Sequence, residues 1–205
     1  MSSILLVTSS PRAEESLSTK IAVQLANTIE ATTTGSTVTH RDLGSDPINH
    51  LDFVTTNAIR KPADIRSAEE AEAAVVSDAA VAELLAADVV ILATGLINFN
   101  ISSSLKSWID HVARAGLTFH YTDKGPVGLV TNKKVYVVLA SAGAYSSGPA
   151  AAMEHAVPYL RTVLGFMGMT DVEVIRVEGT AFGPEAIEKA ITDAQSRIGE
   201  LALAA

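Results

Sequence analysis

Segments with the periodicity of a β-strand alternate with segments with the periodicity of an α-helix along the chain. The first strand is predicted at residues 4–8, where apolar residues run together. A helix follows, because Ile21, Leu25 and Ile29 recur every four residues. Four more strands are predicted at 37–41, 88–94, 135–140 and 172–177. This alternation predicts a parallel sheet with right-handed crossovers and helices on both of its faces.

The alternation predicts an α/β fold, and the number of strands suggests, by analogy, its flavodoxin-like kind. That fold is a three-layer sandwich around a five-stranded parallel sheet in the order 2-1-3-4-5, and ligands bind beyond the carboxyl ends of its strands. We expect one domain over residues 1–205, since no repeat, low-complexity tract or Pro/Ser-rich linker interrupts the pattern. The hydrophobic content of 48% is enough to fill a core of that size.

The signals between the strands are uneven. Ser67 and Glu70 have the spacing of a capping box at the start of an Ala/Glu-rich helix. Residues 51–62 give only a weak signal, and residues 117–132 indicate an excursion from the sheet that could form a hairpin.

One later helix is predicted by an apolar stripe that contains a proline. Pro158 predicts that this helix bends or begins later than the stripe does. The stripe consists of Met153, Val157, Leu160, Leu164 and Met167.

Composition and charge exclude several classes of protein. The net charge of −8, with no basic cluster larger than Lys133-Lys134, argues against a nucleic-acid partner. No apolar run has transmembrane length, and no basic segment precedes the first strand, so we expect neither a membrane protein nor a signal peptide. The chain has no Cys, which suits a cytoplasmic location and excludes thiolate chemistry. The five His residues lack metal-ligand spacing, and no metal site is expected.

Three loops that follow predicted strands are more elaborate than simple connections. The first is rich in hydroxyl groups and leads into a helix, as a phosphate-binding loop does; its hydroxyls include Ser10, Ser16 and Ser18. Ordinary helix capping by Ser16 or Ser18 explains the same residues equally well. Glu14 and Glu15 oppose a bound phosphate, and Arg12 offsets only part of that repulsion. The chain contains no Walker pattern and no G-x-G-x-x-G, so a Rossmann-type dinucleotide site is not expected.

The second and third loops have the composition of a site for a flat ligand. Leu96 and Ile97 offer apolar surface, while Asn98 and Phe99 add an amide and a ring. Taken alone, this loop is explained better by Asn100 capping a helix and Phe99 packing in the core. The third loop, residues 141–144, is small throughout, which permits close backbone approach to a ligand or merely a turn.

Other catalytic arrangements are poorly supported. No G-x-S-x-G elbow is present, so a hydrolase lacks its nucleophile geometry. Phe119, His120 and Tyr121 form either a surface aromatic cluster or a lid over a substrate.

Several longer motifs resemble the FMN-dependent NADH azoreductases, a family of flavodoxin-like quinone reductases. The resemblance covers nearly the whole chain. Its motifs are "SSPR", "SLS", "NFNIS", "LKSWIDHVARAGLTFHYTDKGPVGLV", "PYLRTVLGFMGMTDV" and "EGTAFGPE".

The resemblance implies a homodimer with FMN at the subunit interface. It also implies two-step (ping-pong) transfer of hydride from NADH or NADPH to the flavin and then to a quinone or an azo compound. Three groups of residues would bind FMN: Ser10, Ser16, Leu17 and Ser18 at the phosphate, Leu96, Ile97, Asn98 and Phe99 at the isoalloxazine, and Ser141, Ala142, Gly143 and Ala144 at its edge. Tyr121 and Phe166 would cap the substrate side, and no side chain would act as nucleophile.

Two of the loops depart from the family pattern. Where the family has Pro-Met-Tyr-Asn-Phe, residues 95–99 read Gly-Leu-Ile-Asn-Phe, which removes a ring and a hydroxyl group at Ile97. Where it has Ser-Arg-Gly-Gly, residues 141–144 read Ser-Ala-Gly-Ala, which removes a cation at Ala142. Ala144 would be strained if its position required a positive φ. These changes leave open an alternative, a flavodoxin-like binding protein whose FMN catalysis is weakened or lost.

Overall fold

The computed structural model describes residues 2–203. Strands and helices alternate along this range, with a two-stranded interruption after the fourth helix. The strands are β1 (Ser3–Thr8), β2 (Thr37–Asp42), β3 (Val89–Gly95), β4 (Phe119–Thr122), β5 (Gly125–Gly128), β6 (Lys134–Ala140) and β7 (Asp171–Val177). The helices are α1 (Leu17–Thr32), α2 (Phe53–Arg60), α3 (Ala68–Ala86), α4 (Ser103–Val112), α5 (Ala156–Phe166) and α6 (Pro184–Leu203).

The central sheet has five parallel strands in the order β2-β1-β3-β6-β7. Counted among the sheet strands alone, this is the predicted order 2-1-3-4-5. The difference in numbering arises because β4 and β5 form a separate antiparallel hairpin between the third and fourth sheet strands. The hairpin lies within the predicted excursion at residues 117–132.

Side chains of β1 alternate between the two faces of the sheet, as the pleat of a strand requires. Ile4 and Leu6 belong to a buried cluster that includes residues of α1 and α6. Leu5 and Val7 belong to the opposite cluster, which includes residues of α3, α4 and α5. Helices therefore cover both faces, and the carboxyl ends of all five strands lie at one edge.

Local signals of the sequence account for most helix boundaries but not all. Ser67 and Glu70 form the predicted capping box of α3. The predicted stripe is wrong at Met153, which is 43% exposed and lies in a 3₁₀ helix before α5 begins. Pro158 accordingly lies in the first turn of α5, where its missing N–H has no carbonyl to lose. Helix α2, in the weak segment 51–62, packs on α3 through Ala58, Ile59 and Ala74. Within residues 2–203, no helix combines the length and apolarity needed to cross a membrane.

Candidate functional site

A cavity of about 550 Å³ opens at the carboxyl edge of the sheet. It is bordered by the loops that follow β1, β3, β6 and β7, which come together there because parallel strands end at the same edge. Of the twelve residues predicted to bind a cofactor, the cavity is lined by Ser10, Ser16, Leu17, Ser18, Leu96, Ile97, Ser141 and Ala142. The sequence therefore predicted residues from three separate loops that the fold brings to one place.

The hydroxyl groups of the first loop surround the start of α1. Ser16 is the N-cap, since its Oγ accepts a hydrogen bond from the amide of Thr19 at 3.2 Å. Ser18 Oγ lies 3.1 Å from Ser16 Oγ, and both residues are almost fully buried. Helix geometry leaves the other amides of the first turn without an intrahelical acceptor. The capping interpretation is thus confirmed for Ser16, and the same end of α1 still presents donors to the cavity.

Two opposite charges border this end of the cavity. Arg12 Nη2 lies 3.1 Å from Glu15 Oε2, and both side chains are largely exposed, at 71% and 78%. The amide of Arg12 donates to Ser10 Oγ at 3.3 Å. Glu15 ends a 3₁₀ helix of three residues that leads into the Ser16 cap.

The second loop is a tight two-residue turn. Ile97 N donates to Asn100 O at 2.8 Å, and Asn100 N donates to Ile97 O at 3.1 Å. Asn98 and Phe99 between them have φ values of 48° and 70°. Two positive φ values are the signature of a type I′ turn, in which Gly is the usual second residue. Phe99 therefore occupies a conformation that ordinarily costs a bulky residue about 1 kcal/mol or more.

The sequence alone favoured a simpler explanation, in which Asn100 caps a helix and Phe99 packs in the core, and both parts of it are wrong. The N-cap of α4 is Ser102, whose side chain accepts from the Leu105 amide, and not Asn100. Phe99 is 40% exposed and so does not pack in the core. Its ring instead meets the ring of Tyr145 edge-on, with centroids 6.3 Å apart. Its carbonyl accepts a hydrogen bond from the His155 amide at 2.9 Å.

Asn98 and Phe99 lie beside the cavity but do not line it. Asn98 borders a neighbouring cavity of about 500 Å³, which shares Pro11 and Ile97 with the first. Ile97 thus separates the two spaces, and the amide of Leu96 ties the loop to the sheet by donating to Ala140 O at 2.7 Å.

The third loop is held by the loop that follows β7. One oxygen of Glu178 accepts from the amides of Tyr145 and Ser146, at 2.8 and 3.0 Å. Burial disfavours the charged form of Glu178, but these bonds and the one from the Ser146 hydroxyl outweigh it and lower its pKa. Gly143 packs against Tyr145, where an added Cβ would come within 2.9 Å of the ring.

Gly143 and Ala144 do not line the cavity. Ala144 is not among the described residues with a positive φ, so the strain considered for its methyl group does not arise.

The comparisons with known proteins agree with this geometry. The family described as a flavodoxin-like fold matches residues 2–202. An FMN-dependent NADH:quinone oxidoreductase of Agrobacterium fabrum is 67% identical over 205 residues, which is 100% of both chains. One from Rhizobium etli is 65% identical, again over 100% of both chains. The chain belongs to this flavodoxin-like family of FMN-dependent NADH:quinone oxidoreductases.

Two solved structures of azoreductases have folds similar to that of this chain. An azoreductase from Bacillus anthracis str. Sterne has a TM-score of 0.89 at 33% identity, over 98% of this chain and 99% of that one. An FMN-dependent NADH-azoreductase from Bacillus anthracis str. Ames Ancestor, crystallised in complex with FMN, has a TM-score of 0.87 at 25% identity, over 98% and 100%.

The donor set of the cavity fits the cofactor that the family uses. One end has the buried hydroxyl groups of Ser16 and Ser18 and the first amides of α1, which suit a phosphate. The other end has Leu96 and Ile97, whose apolar surface suits a ring system. Both ends belong to one continuous space, as a molecule with a phosphate and a flat ring requires.

Further lining residues were not predicted from the sequence. Thr180 and Ile187 border the cavity from the loop after β7 and from α6. They lie in and beside the motif "EGTAFGPE", which supported membership of the family but gave no role for its residues. Their place in the sequence could have predicted them, because they follow β7, which ends at the same edge of the sheet as the other strands.

The predicted cap residues lie away from the cavity of their own chain. Phe119 contacts both of them, with ring centroids 5.6 Å from Tyr121 and 4.4 Å from Phe166. Phe166 is the last residue of α5, which runs back towards the amino ends of the strands before β7 begins. Neither ring lines the cavity, and Tyr121 is 70% exposed.

Within residues 2–203, no three His, Asp or Glu side chains come together as metal ligands.

Proposed function

We propose that this protein is an FMN-dependent NADH:quinone oxidoreductase that reduces quinones and aromatic azo compounds. The observation that carries the proposal is the single cavity that joins phosphate-binding donors at α1 to an apolar loop after β3. Relatives that are 67% and 65% identical over the whole chain are named for that activity, with NADH as donor. This favours the enzyme over a binding protein that has lost its flavin chemistry.

Each predicted loop has a role in holding FMN. The hydroxyl groups of Ser10, Ser16 and Ser18, with the amides of Leu17 and Ser18, would bind the phosphate. Leu96 and Ile97 would contact the ring system. Asn98, Phe99 and the third loop, Ser141 to Ala144, would border its polar edge.

The redox chemistry belongs to the cofactor, which when bound accepts a hydride from NADH and passes it to the acceptor in a second half-reaction. The chain positions the reactants and shapes their surroundings. The turn at residues 97–100 is fixed by its two backbone hydrogen bonds, and the third loop is fixed by Glu178. Both therefore offer rigid surfaces against which a flat ring and a flat acceptor can be oriented.

The assembly that fits this site is a homodimer with FMN at its interface. Tyr121 and Phe166 do not line the cavity of their own chain, so they could cap it only from a second subunit. The exposure of Tyr121 leaves its ring free to make such a contact. We also assign residues 1–205 to one domain and the protein to the cytoplasm, with which its lack of Cys is compatible.

Turnover assays test the proposed activity. With saturating FMN, the purified chain should oxidise NADH only when a quinone such as a naphthoquinone, or an azo dye, is present. Ser18→Ala should raise the Kd for FMN about tenfold by removing a buried hydrogen-bond partner, while Ser16 still caps α1. Ser36→Ala, in the turn that follows the opposite end of α1, is the matched control and should leave the Kd unchanged. Absence of acceptor-dependent NADH oxidation at saturating FMN would contradict the proposal.

A further inference from the structure

The charge of the cavity lining comes from one ion pair. Among the described residues that line the cavity, Arg12 and Glu15 alone carry a formal charge, and they are paired with each other. Both are adjacent to the phosphate end, since Ser10 and Ser16 flank them in the sequence and also line the cavity. With the pair closed, the lining offers a phosphate no net positive charge.

The loop geometry keeps both groups at the mouth of the cavity. The amide of Arg12 donates to Ser10 Oγ, and the amide of Ser16 donates to Ala13 O at 3.1 Å, which closes the short 3₁₀ turn. Ala13, directly after Arg12, begins this turn with a positive φ of 46°. The guanidinium and the carboxylate are therefore set three residues apart beside the cap of α1.

We propose that the Arg12–Glu15 pair is a charge switch that makes the cavity select a phosphorylated flavin over an unphosphorylated one. This inference rests on the proposed function. When a phosphate monoester enters beside Ser16 and Ser18, Arg12 leaves Glu15 and binds the phosphate. Glu15 then turns towards solvent, where its exposure allows it to be hydrated.

The exchange of partners follows from the strengths of the two interactions. An exposed ion pair between flexible side chains contributes little, because water and salt screen it and both side chains must be ordered. A phosphate carries nearly two negative charges and can accept two parallel N–H bonds from a guanidinium. It would also be fixed by the buried hydroxyls and the amides of α1. Arg12 therefore interacts more favourably with the phosphate than with the Glu15 carboxylate. Glu15 opposes phosphate binding until Arg12 has exchanged partners.

Affinities for two flavins that differ only in the phosphate test the switch. The full-length chain, freed of flavin, is titrated with FMN and with riboflavin, and binding is followed by quenching of flavin fluorescence. Arg12→Gln should raise the Kd for FMN about tenfold, as expected for loss of one charge-assisted bond to phosphate, and change the Kd for riboflavin less than about twofold. Glu15→Gln should lower the Kd for FMN by about threefold, because a repelling carboxylate is removed.

Glu14→Gln is the matched control, since Glu14 is the neighbouring acidic residue but does not line the cavity. It removes the same charge one residue away and should change the Kd for FMN less than Glu15→Gln does. Added salt should weaken FMN binding by the wild-type chain more than by the Arg12→Gln variant, because fewer charges remain to be screened.

Several results would overturn the switch. One is an equal loss of FMN and riboflavin affinity in Arg12→Gln, which would mean that Arg12 only shapes the loop. A second is an unchanged affinity for both flavins in Arg12→Gln. A third is an effect confined to the KM for NADH, which would mean that Arg12 contacts NADH and not FMN. Each of these results leaves FMN binding by the wild-type chain intact and so overturns the switch alone. If the wild-type chain bound neither flavin, the proposed function itself would fail, so the two failures are distinguishable.

Discussion

Phe99 combines an exposed ring with a backbone conformation that favours glycine. Its φ of 70° lies in the left-handed region, yet the turn is fixed by two hydrogen bonds and by the contact with Tyr145. Strain of this kind persists where the surroundings over-determine the conformation, and it is frequent at functional sites. The conformation of Phe99 therefore lowers the stability of the turn but holds the ring and the carbonyl of Phe99 beside the cavity.

Two substitutions of Phe99 separate the effect of backbone strain on stability from the effect of losing the ring. Phe99→Ala and Phe99→Gly both remove the ring, but only glycine relieves the positive φ. We expect the glycine variant to have a free energy of unfolding about 1 kcal/mol higher than the alanine variant in urea titrations. Equal stabilities, or a more stable alanine variant, would show that the turn carries no strain.

His111 is a buried titratable group on α4. Its Nε2 lies 3.0 Å from the carbonyl of Asn49 and so carries the proton, since a carbonyl only accepts. Within residues 2–203, its Nδ1 has no hydrogen-bond partner. Burial lowers the pKa of His111, and the Asn49 carbonyl and Asp110 offset only part of that effect.

The lowered pKa makes stability depend on pH in one direction. Below about pH 6.5 the unfolded chain takes up a proton at His111 that the folded chain resists, so the free energy of unfolding falls as the pH falls. The loss begins near the ordinary pKa and ends once the pH is below the folded-state value. His111→Gln, which keeps a donor for Asn49 but does not titrate, should show a smaller loss between pH 7.5 and 5.5. An identical loss in both proteins would rule out this contribution of His111.

At the scale of elements, the third loop depends on a carboxylate outside it. Glu178, directly after β7, accepts the amides of Tyr145 and Ser146 and so connects the loops after β6 and β7. Ala142 O and Gly143 O accept further bonds from the same loop, each at 3.0 Å. These hydrogen bonds join the two loops into one unit, with Glu178 as its anchor.

Loss of the charge at Glu178 should loosen this unit without unfolding the protein. We expect Glu178→Gln to raise amide hydrogen exchange in residues 141–148 about tenfold, because a neutral amide oxygen is a weaker acceptor than a carboxylate. Glu188→Gln, an exposed change on α6, should leave that exchange unaltered. Unchanged protection of the loop in Glu178→Gln would remove Glu178 from its role as anchor.

The elements also show how far the sequence determines the site. The α/β class and three of the four loops around the cavity were predictable, because the alternation of strands and helices is visible in the sequence and parallel strands end at one edge. The strand order rested on analogy with the flavodoxin-like fold, since doubly wound sheets occur in more than one order. The turn at residues 97–100 was not, since nothing local reveals that Phe99 takes a glycine-like conformation. The prediction for Met153 was wrong for a related reason. Its apolar side chain fits the periodicity of the stripe, but the helix begins only at Ala156. The anchor Glu178 is a contact between distant loops, which no short pattern encodes.

At the scale of the whole molecule, the proposed dimer explains residues that the single chain does not use. Tyr121 is 70% exposed although it belongs to an aromatic cluster with Phe119 and Phe166. Light scattering should therefore give a mass of about twice the 21.4 kDa of one chain. In such a dimer, Tyr121→Ala should raise the KM for the quinone while the Kd for FMN changes little. A monomeric mass would contradict both the dimer and the cap.

The central claim is that the cavity at the carboxyl edge of the sheet holds FMN. Its most direct measurement is a flavin absorbance spectrum of the protein as isolated, followed by titration of the flavin-free chain with FMN. We predict saturable binding of one FMN for each chain, with an affinity that Ser18→Ala weakens and Ser36→Ala does not. Absence of saturable binding, or binding that the Ser18 substitution leaves untouched, would contradict the account.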